Sequence, residues 1–153
     1  MFETGPKNGW LIEQLAKSGV HTATSSCMAD IYYRLPFRAD FCIFKEAGLT
    51  GYNIAFVDNF AHYHTKNDNP DNLSLASLQD HGEYGIRLAR HLGNIPIDTV
   101  RAPDLTYFTV VGPWLAYYPA TWNRPLMGIT FALFVIVLLL GLVRRHLTIP
   151  GIL

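Results

Sequence analysis

The chain has 153 residues, enough for one modest domain, and its 12 basic residues balance 12 acidic ones. That balance gives no long-range field toward nucleic acid or an anionic surface, so no nucleic-acid partner is predicted. Half of the residues are hydrophobic, and they are spread unevenly along the chain.

Pro6 to Ser18 reads as a helix, with Trp10, Leu11, Leu15 and Ala16 at helix-like intervals and Ser18-Gly19 as a stop. Residues 20–35 are polar and mixed, with no clear period. Phe41 to Ala47 reads as a short helix, because Phe41, Phe44 and Ala47 share one face and Gly48 closes it. Gly51 to Val57 is a nearly continuous apolar run, the pattern of a strand buried on both faces of a parallel sheet. Ser74 to Leu92 is the clearest helix before the C-terminal third. Leu75, Leu78, Ile86, Ala89 and Leu92 recur near i+3 and i+4, Asn72 or Ser74 can cap it, and Gly93-Asn94 ends it. Its internal Gly82 and Gly85 each cost about 1 kcal/mol relative to alanine, which predicts close packing against the sheet.

Tyr107, Phe108, Trp114, Tyr117, Tyr118 and Trp122 crowd together next, as an interfacial aromatic belt would. An aromatic core is the alternative for the first two. Leu126 to Val143 then runs without a charge, and as a helix it would be about 27 Å long, close to the hydrocarbon thickness of a bilayer. A soluble core helix would show a polar face; this segment offers only Thr130. It is predicted to cross a membrane. Arg144, Arg145 and His146 follow it and only Arg124 lies close on the other side, so the C-terminal tail is placed in the cytoplasm and the soluble part on the non-cytoplasmic side, whether periplasm, lumen or vacuole. The first residues have no basic stretch followed by an apolar one. Either that topology is wrong, or an export signal or membrane helix lies upstream of this chain.

The chemistry concentrates at Tyr63-His64-Thr65-Lys66-Asn67-Asp68, which follows the apolar run and precedes the turn Asn69-Pro70-Asp71-Asn72. His62 and His64 stand two apart, and on a strand they would share a face, as a zinc-binding His-x-His pair does. Zinc needs three or four donors, and Asp58 and Asp68 are the only carboxylates near them before the turn. Two neighbouring histidines without further ligands are otherwise ordinary surface residues. The sequence has no Gly-x-Ser-x-Gly, His-Glu-x-x-His, phosphate loop or Gly-x-Gly-x-x-Gly. Cys27 and Cys42 are too few for a zinc ribbon and read as two buried thiols or, in an exported domain, one disulfide.

Several stretches in order resemble the C-terminal half of a zinc-dependent aminopeptidase domain. They are most similar to its membrane branch, the endoplasmic-reticulum metallopeptidase and vacuolar membrane protease group. Phe2 to Ile12 resembles that branch's FxTGPxNxWLI passage, and Leu35 to Phe44 its PSDTDFxxF passage. Gly48 to Phe56 resembles GxxGLDxAF, and Tyr63 to Asp68 resembles YHTxxD, with Ser77-Leu78-Gln79 continuing into the next helix. The aromatic stretch and the apolar helix also fall where that branch has them.

The resemblance implies an α/β fold: a partial zinc-exopeptidase sheet with flanking helices, followed by one transmembrane helix. It divides the chain into residues 1–98 (peptidase half), 99–125 (aromatic juxtamembrane segment), 126–143 (membrane helix) and 144–153 (tail). By the same resemblance His64 ligates one of two zinc ions, and Tyr63 stabilises the oxyanion of the tetrahedral intermediate of a peptide substrate. Arg38 stands near that substrate, Asp40 shapes the site, and Asp68 anchors the turn holding His64. Ala39 departs from the family's Ser/Thr-Asp pair. The larger departure is omission, since the family's His-x-Asp and Glu-Glu ligand pairs are absent from this sequence. One histidine cannot hold two metals or activate water, so the chain alone is predicted to be inactive and to need the missing N-terminal half as a partner. The implied function is a fragment of a membrane-anchored zinc exopeptidase; the alternative is a non-catalytic membrane-anchored interaction domain derived from the same fold.

Overall fold

The computed structural model describes residues 3–36, 39–56, 60–112 and 114–144. They form two compact units, residues 1–118 and 119–153. In the first unit the elements are β1 (Glu3–Thr4), α1 (Gly9–Lys17), α2 (Ser26–Arg34), α3 (Asp40–Glu46), β2 (Tyr52–Asn53), α4 (Leu75–Gly93), β3 (Leu105–Val111) and β4 (Trp114–Pro119). The second unit contains α5 (Asn123–Val143).

Helix α1 forms the floor of the first unit. Ile12 and Leu15 are essentially inaccessible and pack with Val20, with Tyr84 and Leu88 of α4, and with Tyr107 of β3. The helix starts three residues later than its pattern predicts, because Lys7 takes a left-handed backbone (φ 58°) and breaks the run between Pro6 and Asn8. Asn8 is then spent on a distant segment. Its N–H donates to the Asp104 carboxylate at 2.9 Å and its side-chain carbonyl accepts from Leu105 N–H at 2.8 Å. Gly9 fits here because a Cβ would run into the Pro103 carbonyl oxygen. Residues well beyond the last predicted soluble helix thus close around the start of α1.

Helix α3 and helix α4 lie within one residue of their predicted limits. Ser74 caps α4 by accepting from Ser77 N–H, and Asn94 closes it. Helix α2 falls in the stretch that shows no period. It buries no residue completely, and its start is fixed by Ser25, whose hydroxyl accepts from Met28 N–H at 3.1 Å. Just before it, Thr24 and Ser25 run beside β3: Thr109 N–H donates to the Thr24 carbonyl, and Tyr107 N–H to the Ser26 hydroxyl.

The predicted strand Gly51–Val57 needs correction. Among its described residues, 51–56, only Tyr52–Asn53 is extended and paired, the partner β1 runs antiparallel, and both residues are half-buried; Val57 lies outside the described residues. The register of Glu3 with Asn53 and Thr4 with Tyr52 sets the residues after Asn53 opposite those before Glu3, outside the described residues, while on the other side Gly5 N–H still donates to the Gly51 carbonyl at 3.3 Å. The apolar residues that follow serve packing instead: Ile54 lies against the core, and Phe56 stacks on His81 with ring centroids 4.0 Å apart. Among the described residues the sheets are β1–β2 and β3–β4, each of two strands. Tyr107, offered to an aromatic belt by its position, sits in the core, whereas Trp114 is exposed. Cys27 is exposed and Cys42 partly so, and both are free thiols.

A buried ion pair ties β1 to α3. The Glu3 carboxylate receives Lys45 Nζ at 2.6 Å and Asn53 Nδ2 at 3.2 Å. The Glu3 side chain is 5% exposed and that of Lys45 19%. Lys45 also lies over the rings of Tyr33 and Phe41, at 5.7 and 5.4 Å from their centroids.

In the second unit, α5 is apolar on every side, with a mean hydropathy of 2.9 in its most apolar window, and Thr130 returns its hydroxyl to the Leu126 carbonyl at 2.9 Å. It is long and apolar enough to cross a membrane.

Two outcomes test this packing. Lys45→Met strands the buried Glu3 carboxylate and should cost roughly 3 kcal/mol, the lower end for removing one partner of a buried pair. Adding Glu3→Gln should recover part of that loss in denaturant unfolding of the detergent-solubilised chain. Burial holds the phenols of Tyr52, Tyr84 and Tyr107 above the ordinary range. The folded state therefore keeps protons that the unfolded state releases, so stability should be flat below about pH 10 and fall as pH rises beyond it. Tyr52→Phe should make that fall shallower by one proton. It should also cost about 1 kcal/mol at neutral pH, because Tyr52 Oη donates to the Leu11 carbonyl at 2.6 Å. A fall of equal steepness in the variant would refute the assignment.

Candidate functional site

The segment from His62 to Asn72 wires itself together with short-range hydrogen bonds. A single 3-10 turn ends at His62, and the chain then reverses twice before a second such turn, Pro70–Asn72. The Thr65 hydroxyl donates to the His62 carbonyl at 2.7 Å and accepts from Asn67 N–H at 3.1 Å. The Asn69 side-chain carbonyl accepts from the N–H groups of Asp71 and Asn72, while Asn72 Nδ2 reaches back to the Asn67 carbonyl. Threonine and asparagine suit this work because their short polar side chains replace missing backbone partners. Asn69 and Thr65 carry the loop geometry. The Asn-Pro-Asp-Asn turn signal marks the first of them, and nothing local marks the second.

His64 sits at the tip with a left-handed backbone (φ 59°), the one described non-glycine residue besides Lys7 to do so. For a residue with a Cβ that conformation costs about 1–2 kcal/mol. The Asp68 carboxylate offsets it by accepting from the His64 N–H at 3.3 Å. The imidazole stacks on the Tyr63 ring, with centroids 4.0 Å apart and an interplanar angle of 22°. Both rings face solvent. His62 lies on a helical turn, half-buried, so the shared strand face predicted for His62 and His64 does not form.

The other predicted site residues are separate from this loop or outside the described residues. Asp40 is exposed in the first turn of α3, where a carboxylate complements the helix dipole. Ala39 occupies the capping position of that helix without a side-chain bond, so the hydroxyl that the family pattern would place there would act as a helix cap. Arg38 and Asp58 lie outside the described residues.

Zinc requires three or four donors. Among the described residues no group of three His, Cys, Asp or Glu side chains is close enough to hold a metal. The donor side chains from His62 to Asn72 are His62, His64, Asp68 and Asp71, of which the Asp68 carboxylate is already bonded to the backbone, and no three of them come together.

Replacing His64 with asparagine, which tolerates the left-handed region, should leave the thermal midpoint equal or higher. Asp68→Ala should lower the protection of the loop against proteolysis and leave the core melting unchanged, because the loop bonds to itself. A cooperative loss of the whole unit on Asp68→Ala would contradict that separation.

The profile described as Peptidase family M28 matches residues 1–89, which include both the loop and the packing face of α4. Human endoplasmic reticulum metallopeptidase 1 is 28% identical over 127 residues, covering 78% of this chain and 14% of the human protein. The mouse protein of the same name is 29% identical over 129 residues, with the same coverage. This chain thus spans about one-seventh of the length of these relatives. No solved structure matches it significantly. With the family profile covering more than half of its residues, the chain belongs to peptidase family M28.

Proposed function

We propose that this chain is the carboxyl-terminal half of a membrane-anchored zinc exopeptidase of the aminopeptidase type, and that it presents one wall of the active site. The observation that carries this reading is the Tyr63–His64 tip, where a costly backbone conformation holds an imidazole and a phenol together and exposed. A strained, solvent-facing histidine inside a metallopeptidase-family match suits a ligand presented to donors that lie elsewhere. In the completed site His64 would bind one of two zinc ions, and Tyr63 would donate its hydroxyl to the oxyanion of a peptide substrate. Asp68 would hold His64 in place through its N–H, Asp40 would shape the site from the start of α3, and Arg38 would stand near the substrate. The missing N-terminal half would supply the remaining ligands and the base. Helix α5 would anchor the assembly, with the peptidase half on the non-cytoplasmic side and the tail in the cytoplasm.

The absence of a three-donor group among the described residues favours one alternative, a non-catalytic membrane-anchored interaction domain that kept the fold. Zinc titration separates the two. The purified chain in detergent should take up zinc no better than a single exposed imidazole does, and should not cleave aminoacyl-nitroanilides. Joined to the upstream half of a family member, it should bind zinc stoichiometrically and lose at least one ion on His64→Ala. Zinc uptake indifferent to His64→Ala in the joined protein would sink the peptidase reading. Tight uptake by the chain alone would sink the claim that it is half a site.

A further inference from the structure

Helix α4 has two apolar faces and uses only one of them. Tyr84 and Leu88 are buried against α1, and on the same side the His91 imidazole meets the Gln14 side-chain oxygen at 3.0 Å. At 3.6 residues per turn, Leu75, Leu78, Gly82, Ile86 and Ala89 fall on the opposite side. Leu75 is 78% exposed, Leu78 50% and Ile86 54%. They line a shallow groove bordered by Glu83, Arg87 and Arg90. A helix on the surface of a finished domain carries one apolar stripe, whereas a helix that is apolar on both sides lies between two layers.

The glycines add an independent observation. Gly82 and Gly85 each cost about 1 kcal/mol in a helix interior. A side chain at either position would meet nothing within 4 Å. Nothing among the described residues therefore requires their small size. A missing Cβ at the centre of an apolar face is useful where another backbone comes close.

We infer that the Leu75–Leu78–Gly82–Ile86 face of α4 is the docking surface for a secondary-structure element of the peptidase domain that this chain does not contain. The inference rests on the half-site reading above and identifies where the halves join. Three facts select this occupant over a second copy or lipid. The whole face lies within the family-matched residues 1–89. The chain covers only 14% of its human relative, which leaves ample sequence for the covering element. The groove is flanked by the charged Glu83, Arg87 and Arg90, a border that suits a protein element and not hydrocarbon.

The test co-expresses the full chain with a tagged stretch of human endoplasmic reticulum metallopeptidase 1 lying immediately N-terminal to the aligned region, followed by co-purification in detergent. The wild-type chain should co-purify at equal stoichiometry. Gly82→Leu, Ile86→Asp and Ala89→Arg should each reduce recovery at least tenfold, whereas Ile97→Asp, also at an exposed isoleucine but outside α4, should not. Far-UV circular dichroism and the melting point of each chain alone should be unchanged, because the substituted positions are exposed; Ala89→Arg introduces a good helix former should either of the others unfold. Failure of the wild-type chain to co-purify, full recovery of the folded α4 variants, or equal loss with Ile97→Asp would overturn the inference. So would a dimer of the chain alone that Ile86→Asp disperses, since a second copy would then occupy the face. Zinc uptake by the purified pair reads the functional proposal separately. A pair that needs this face but takes up no zinc defeats the peptidase reading alone. A zinc-loaded pair unaffected by the α4 variants defeats the docking face alone.

Discussion

Burial of Ile12 and Leu15 on α1 is the interaction on which the rest of the first unit depends. Those two side chains meet α4 from one side and Tyr107 of β3 from another. They join segments far apart in sequence, so the apolar surface they remove from water must offset the closure of long intervening loops. The polar contacts around them act as guides more than as sources of stability. Asn8 receives and donates bonds at residues 104 and 105, Tyr52 reaches the Leu11 carbonyl, and Arg87 donates to the Gly19 carbonyl. Each of these fixes the direction in which a neighbouring segment approaches α1.

The Tyr63–Asp68 loop is built on a different principle. Its hydrogen bonds close within a few residues, and its rings stack on each other at the surface. The core thus supplies a platform and the loop supplies its own shape. Such a division suits a site assembled from two parts, because the loop can be formed before its counterpart arrives. It also explains how a strained histidine persists at an exposed tip: Asp68 and Asn69 determine the backbone locally.

The same economy is visible in α4. One face of that helix is satisfied inside this chain, and the other presents leucine, isoleucine and two glycines to solvent. The exposed face, the strained imidazole and the two-stranded sheets share a character. On the reading proposed above, each would meet its complement outside the described residues. Membership of peptidase family M28 and coverage of about one-seventh of the relatives agree with that character.

The sequence by itself determined the elements whose cause is local. Helices α3 and α4 followed from apolar spacing and Ser74, the Asn69–Asn72 turn from its residue types, and α5 from an uncharged run as long as a bilayer is thick. The Tyr63–His64 motif stood out by its resemblance to a family passage, whereas its loop geometry, set by hydrogen bonds within a few residues, was not anticipated. Tertiary structure alone decided what depends on distant partners. Gly51–Val57 has the composition of a buried strand, but among its described residues the antiparallel partner Glu3–Thr4 pairs only Tyr52–Asn53. Helix α2 has no periodic signal and owes its place to Ser25 and to contacts with β1 and β3. The Glu3–Lys45 pair joins residues 42 positions apart, and no pattern in either neighbourhood announces it. Tyr107, which the sequence left between a membrane belt and an aromatic core, is placed in the core by its packing with Ile12 and Leu15 of α1 and Tyr84 and Leu88 of α4. Local propensity is written along the chain, whereas a partner's position exists only after the chain has folded.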